Sequence, residues 1–439
     1  IIKNLFKNIM LLNGYDLAKA ENIIEKVCSF TLSEKMDWQN DHKWKLAKFH
    51  YDNNDYYRSK IKGPFPNRWE SLPIMQKKDY QKKIEFILSN GYSKKNTYVA
   101  NTSGSTGVPF FFAKNKFAHA MSWSLAENRY NWRKIQLTSR QARYFGSPLE
   151  NTGRYFEKIK DIIMNRKRML VFDLSDKALE GHIILFKKIK FHYIYGYTSA
   201  LVIFARYLLK TNQILKNMCP SLKVCITTSE ILTREDRDIL TLAFGIKVAN
   251  EYGVSEAGGI VAFENNQTDW ILSCETQFIE IVNGDGNVVK NGQEGKILIT
   301  DLHNKAMPFI RYEVGDIGVL KSEGNLGHLV LDKLIGRTND EIILPSGKIA
   351  PGLTFYYISR SILESFGILQ EFVIKQESLY SFKFEIVSSR NLYKHEVELI
   401  KQKMDVYLEE GLKIKIKRVK KIKRSQSGKL KHFSSYLNE

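Results

Sequence analysis

Four cysteines are all that this 439-residue chain contains, and no two of Cys28, Cys219, Cys225 and Cys274 stand in CxxC spacing. That scarcity argues against a disulfide framework and against a cysteine-based zinc site, and it fits a reducing, cytoplasmic compartment. No apolar run reaches 18 residues. Even the greasiest stretch, 181–209, is broken by Lys, Arg or His, so no membrane-crossing helix is expected. The phosphate-loop pattern GxxxxGK[ST] and the dinucleotide fingerprint GxGxxG are both missing. So are internal repeats, low-complexity tracts and the base-stacking motifs of RNA-binding sheet domains. Acidic residues are in short supply, 47 Asp and Glu against 67 Lys and Arg, which leaves a net charge of +20. The excess favours anionic partners, whether nucleotides, nucleic acid, acidic lipid head groups or acidic metabolites, without choosing among them.

What is present is enough for a large core: 43% hydrophobic and 12% aromatic residues. At the N-terminus, Ile2, Leu5, Phe6, Ile9 and Leu12 share one helical face with Lys3 and Lys7 opposite. A helix packed on the body is expected, with peripheral membrane contact as the alternative. The first hundred residues read as helical, including 15–48 and a Pro-led segment "SLPIMQKKDYQKKIEFIL". After residue 98, short β-branched runs alternate with helical periods, the pattern of a parallel α/β sheet. From about 270 a hairpin pattern pivoting on Asn283 to Gly286 predicts a smaller antiparallel unit. Past a boundary near 335 the chain reads as α+β, with Val397, Ile400, Met404 and Leu408 on one helical face. The expected domains are therefore 1–335 and 336–439.

Five segments suggest chemistry. "NTSGSTGVP" crowds Thr102, Ser103, Gly104, Ser105, Thr106 and Gly107 together, and such residues let backbone N–H groups and hydroxyls surround an anion. "EYGVSE" follows an apolar run and offers Glu251, an aromatic Tyr252 suited to stacking, and Glu256, a carboxylate suited to Mg²⁺ beside phosphates. "RYEVGD" ends in Asp316, placed to accept two ribose hydroxyls. "GRTND" puts Arg337 at the domain junction, and "SGK" presents Lys429 on a stretch too polar for a core. Within the basic stretch 413–431, "KIKIKRVKKIKR" alternates apolar and charged residues, as a strand with one wet face would, and the charge of the stretch suits phosphate-bearing or lipid-linked anions.

In this order the five segments resemble the signatures of the adenylate-forming superfamily of acyl- and aryl-CoA ligases. "LPIMQKKD", "YGYTSAL", "LKVCITTSEILT" and "MPFIRYEVGD" are similar to its phenylacetate–CoA ligase-like branch, which includes ligases found with capsule and O-antigen genes. The resemblance covers roughly 60–439. It implies a large adenylating domain with parallel α/β sheets and a smaller antiparallel unit, then a mobile α+β domain carrying the catalytic Lys429. By the same resemblance, Thr102 to Gly107 hold the ATP phosphates and Glu251 and Tyr252 line the nucleotide or acyl site. Glu256 binds Mg²⁺, Asp316 and Arg337 hold the ribose, and Tyr195, Tyr197, Ser199 and Ser229 lie at the substrate pocket. The hinge falls at Asn339 or Asp340, where relatives carry Asp or Lys. The implied partners are a carboxylic acid, ATP, and CoA or an amine as acceptor, with no nucleic acid and at most peripheral contact with the inner face of a membrane; dimers are common in the branch.

Overall fold

The computed structural model describes residues 2–102, 110–146, 151–171, 173–321, 328–337, 341–347, 349–351, 369–423 and 433–437. The chain divides into two compact units, 1–314 with 319–333, and 315–318 with 334–439.

The first unit is organised by parallel strands. They are β3 (Gln141–Phe145), β4 (Arg166–Leu170), β5 (Tyr193–Tyr197), β6 (Val224–Thr228) and β7 (Lys247–Val254), following a ribbon of β1 (Thr97–Thr102) and β2 (Phe110–Asn115). Strands β4-β3-β5-β6-β7 pair in parallel in that order. Helices cover both faces, as a parallel sheet demands. Alternate residues serve each side. Ile194, Cys225 and Val248 pack under the helices Asp176–Lys188, Thr198–Lys210 and Arg234–Phe244, whereas Tyr193, Val224, Ile226 and Ala249 pack under Ile2–Leu12, Leu17–Cys28 and Lys116–Asn131.

The antiparallel strands expected after 270 are there, and they extend the same sheet. β8 (Gly259–Glu264), β9 (Trp270–Leu272), β10 (Gln277–Val282), β11 (Glu294–Asp301), β12 (Tyr312–Leu320) and β13 (Val330–Arg337) complete the order β10-β11-β12-β13-β9-β8-β7. In the second unit, β14 (Glu341–Ile343) pairs with β15 (Ile349–Pro351). The four-stranded sheet is β18-β17-β16-β19, made of β16 (Leu369–Gln376), β17 (Ser381–Ser388), β18 (Lys413–Arg418) and β19 (Phe433–Ser435). Ile400, Met404 and Leu408 close its core against Phe382, Phe384 and Ile386. Strand β18 has the wet face expected of it: Ile414 and Ile416 lean on that core, while Lys413, Lys415 and Lys417 are exposed.

Two helical expectations are modified. The segment 71–88 forms only the short turns Lys77–Tyr80 and Ile84–Phe86. It is also tied to a distant segment: the Met75 N–H donates to the Arg311 carbonyl, Glu313 N–H donates to the Met75 carbonyl, and the Tyr80 hydroxyl donates to Pro308. The N-terminal helix does pack on the body, but through Phe6 and Met10, while Leu5, Leu11 and Leu12 are exposed. Among the described residues, no helix is long and apolar enough to cross a membrane.

His50 joins the long helix Leu32–Asn53 to the loop after β11. Its Nε2 lies 2.8 Å from the Asn304 carbonyl, which can only accept, so Nε2 carries the proton and Nδ1 accepts from Ser89 Oγ at 3.0 Å. Burial pulls its pKa from 6.5 to about 4. Between those values the unfolded chain takes up the proton more readily, so stability present above pH 6.5 is lost as pH falls. About 2 kcal/mol is expected to go by pH 5 from His50 alone. Urea midpoints at pH 7 and pH 5 measure this, and His50→Gln should flatten the difference. An equal pH dependence in that variant would refute the assignment.

Candidate active site

Ligands of α/β sheets bind at the carboxyl ends of the parallel strands, and this is where most of the expected residues of the first unit collect. Register sets Tyr197 opposite Thr228, and Thr228 opposite Glu251, along the ends of β5, β6 and β7. The Glu251 carboxylate is buried and accepts three hydroxyls, from Tyr195 at 2.7 Å, Tyr130 at 3.2 Å and Thr228 at 3.3 Å. Burial raises its pKa, and these three donors pull the other way. Burial likewise pushes the Tyr195 and Tyr130 phenols well above their ordinary range, so both remain donors.

Tyr197 packs on Phe145, with centroids 4.3 Å apart. The Ser199 N–H, in the first turn of the helix Thr198–Lys210, donates to Glu230 at 2.7 Å, a favourable place for a carboxylate. Ser229 makes this possible by turning the chain in the left-handed region, φ 68°, at the end of β6. His192 lies just before β5 begins, at the opposite end from Tyr197, and its Nδ1 accepts the Arg140 N–H.

Tyr252 is buried with its ring parallel to Trp270, centroids 6.4 Å apart. Beyond it the chain reverses into β8 at Gly258 and Gly259, φ 90° and 96°. A Cβ at Gly258 would sit 2.3 Å from the Gln277 amide. The turn leaves Glu256 half-buried, accepting the Tyr312 hydroxyl at 3.2 Å. Tyr312 is held edge-on by Tyr80 and Phe309.

Two residues that the motif reading missed lie beside this carboxylate. Lys114, on β2 just past the Ser/Thr/Gly segment, is buried. Burial lowers its pKa, and the carboxylates of Asp301 and Glu256 raise it. Asp301 accepts the N–H groups of His303 and Asn304 at 3.0 and 3.2 Å through Oδ1, while its buried Oδ2 has no hydrogen-bond partner among the described residues. A charged residue amid "FFFAKN" was the available sequence signal for Lys114. Tyr130, Thr228 and Asp301 carried none, because only folding brings their distant segments together.

Asp316, buried on β12, and Arg337, ending β13, fall in the second unit. Thr102 closes β1 opposite Phe110. Ser103 to Gly107, Asn339, Asp340 and Lys429 lie outside the described residues. Among those described, no group of three His, Cys, Asp or Glu is disposed to hold a metal. A single carboxylate such as Glu256 nevertheless suits Mg²⁺, which is commonly held by one or two carboxylates together with substrate phosphates.

No family model matches the chain. Over 135 residues it is 33% identical to the phenylacetate–coenzyme A ligase of Escherichia coli, and over 140 residues 30% identical to that of Thermus thermophilus. Each alignment covers 30% of this chain and 31% of the relative, so the chain matches about a third of the length of these curated relatives. The fold match is far broader. A crystal structure of 2-hydroxyisobutyryl-CoA ligase, in the postadenylation state with an acyl-AMP, aligns over 93% of this chain and 91% of its own, with TM-score 0.70 and 15% identity. The amide bond synthetase of Marinactinospora thermotolerans aligns over 77% and 69%, with TM-score 0.51 and 14% identity. The chain thus has phenylacetate–CoA ligases among its homologues and the fold of the acyl- and aryl-CoA ligases of the adenylate-forming superfamily.

Proposed function

We propose that this protein activates a carboxylic acid with ATP, releasing pyrophosphate and forming an acyl-adenylate, and then passes the acyl group to the thiol of CoA. The observation that carries the reading is the placement of "EYGVSE". It runs off the carboxyl end of β7 into a tight turn, so that Glu251 closes one polar cluster and Glu256 a second. One stretch thereby serves an acyl-side group and a phosphate-side group, as an enzyme joining those two substrates requires.

In this reading the acid's carboxylate attacks the α-phosphorus and pyrophosphate leaves. Two anions must meet, so the protein has to supply positive charge and oriented donors where negative charge builds. Thr102 to Gly107 cradle the phosphates, Asp316 and Arg337 hold the ribose, and Lys429 bridges the two reacting groups. Glu256 is the residue that would hold Mg²⁺, whose charge would screen the phosphates when bound. Buried Lys114 adds a fixed cation within electrostatic reach of Glu256. A second domain carrying Lys429 and pivoting at Asn339 or Asp340 would withdraw the lysine and admit the thiol. The capsule and O-antigen setting rests on the sequence resemblance alone.

Pyrophosphate release, measured across a panel of acids with CoA or amines as acceptor, tests the reading. Acid-dependent release, with turnover accelerated by CoA, is the expected result. Acceleration by an amine and never by CoA would replace the thiol with an amine acceptor, and the absence of release with every acid would overturn the ligase assignment.

A further inference from the structure

Strands β3 and β4 place three arginines on the face that carries Tyr195. Register pairs Arg143 with Arg168 and with Tyr195, and Arg166 lies two residues before Arg168. Two of the three have acidic partners. Arg168 donates to Glu157 at 2.7 Å and Asp161 at 2.9 Å, and Arg166 stands 3.7 Å from Asp161. Arg143 has no carboxylate partner among the described residues. Its one hydrogen bond is a long one, 3.4 Å, to the Gln141 side chain, and its Nε is buried without a partner.

The guanidinium is nevertheless firmly seated. It lies 4.1 Å from the Phe145 ring centroid and 5.1 Å from that of Tyr195, and those rings stack at 5.3 Å and 12°. Arginine keeps its charge at any accessible pH and presents five donors. Glu251, the nearby acid on β7, is already occupied by three hydroxyls. Arg143 is only part-buried and its charge is felt by Glu251, but no acceptor answers its fork with good geometry, which leaves those donors open to an acceptor supplied from outside. It sits midway along β3 and against Tyr195, two residues before Phe145 closes the strand at the end of the sheet where ligands bind.

We infer that Arg143 receives a second carboxylate on the acid substrate, so that the enzyme acts on dicarboxylic acids, with one carboxyl group reacting and the other held by the guanidinium. The inference rests on the ligase reading above and adds the substrate class to it. Planar bidentate pairing suits arginine and a carboxylate, and the two aromatic rings hold the fork in one orientation.

The test compares acids of equal length with one or two carboxyl groups, hexanoate with adipate and phenylacetate with its ring-carboxylated counterparts, in the pyrophosphate-release assay. The wild type is expected to prefer the diacid at least tenfold in kcat/KM. Arg143→Met should erase about ten- to hundred-fold of that preference, chiefly through KM for the diacid, with a much smaller effect on the monoacid. A purely structural arginine predicts something else, a fall in thermal midpoint; removal of a part-buried charge that has no carboxylate partner should leave the midpoint unchanged or raise it. Calorimetric binding of adipate to wild type and Arg143→Met, without ATP, separates this inference from the ligase reading. Binding lost in the variant supports the anion site even if no acid releases pyrophosphate. Equal binding to both proteins, equal effects of the variant on both acids, or a wild-type preference for monoacids would overturn it.

Discussion

Replacing Lys429 by alanine is expected to cut adenylate formation by about a hundred- to a thousand-fold while leaving ATP affinity close to that of the wild type. The magnitude is that of one preorganised donor removed from a site where charge develops. The sparing of ATP affinity follows from the role: an ammonium that bridges two groups only as they react contributes to the transition state and little to the ground state. Acid-dependent exchange of pyrophosphate into ATP measures the first quantity, and equilibrium binding of a nucleotide analogue measures the second. Lys429→Arg separates charge from shape. It keeps the charge but replaces a compact ammonium with a broad planar fork, so it should remain strongly impaired. Preformed acyl-adenylate supplied together with CoA should still be converted by the alanine variant, because in the proposed scheme the lysine serves only the first half-reaction. Wild-type exchange in Lys429→Ala would remove this residue from the chemistry.

How much could be read in advance depended on the range of the interactions involved. The parallel strands were legible because β5, β6 and β7 are short runs whose alternate residues fill two apolar cores, a pattern written locally. The wet face of β18 was legible for the same reason. The segment 71–88 misled because its apolar spacing is helical, while Met75 pairs its backbone with Arg311 and Glu313 and the Tyr80 hydroxyl donates to Pro308, all more than two hundred positions away. The N-terminal helix was legible as a helix. Its buried stripe turned toward Phe6 and Met10 because the neighbours Leu17, Ala20 and Trp123 decide which face is covered. In the candidate site, Glu251 and Glu256 stood out because they belong to a compact motif. Tyr130, which completes the Glu251 cluster, comes from a helix 121 residues earlier and had no local mark. Arg143 did have one, a charge inside "QARYF" between the fully buried Ala142 and Tyr144. Such a residue in a strand interior is costly enough to ask what it is for.

Arg311→Met is expected to destabilise the first unit by about 3–5 kcal/mol, the range for breaking a buried ion pair by removal of one partner. That is a large share of the roughly 5–15 kcal/mol that stabilises a typical fold. Arg311 is 1% exposed, and its guanidinium lies 3.2 Å from Glu280, itself buried. The same fork donates to the carbonyls of Glu70 at 2.8 Å, Leu72 at 3.1 Å and Gly286 at 2.9 Å. One side chain thus ties the segment before Met75, the hairpin after β10 and the start of β12 together, and methionine would strand a carboxylate and three carbonyls. The rest of the ledger can be tested separately. Glu280 also accepts the Trp69 indole N–H at 2.9 Å, so a double variant Arg311→Met with Glu280→Gln removes the orphaned charge while keeping that partner. It should recover a substantial part of the loss, although the three carbonyls remain unmet. Arg311→Lys should fall between, because a point charge cannot reach three carbonyls and a carboxylate at once. The site would feel the change too: Arg311 immediately precedes Tyr312, whose hydroxyl holds Glu256. Partly destabilised variants are therefore expected to lose nucleotide affinity before they unfold. Urea midpoints give the stability series and equilibrium nucleotide binding gives the coupling. A midpoint for Arg311→Met within about 0.5 kcal/mol of the wild type, the scale of an ordinary surface substitution, would show that this guanidinium does not hold the three segments together.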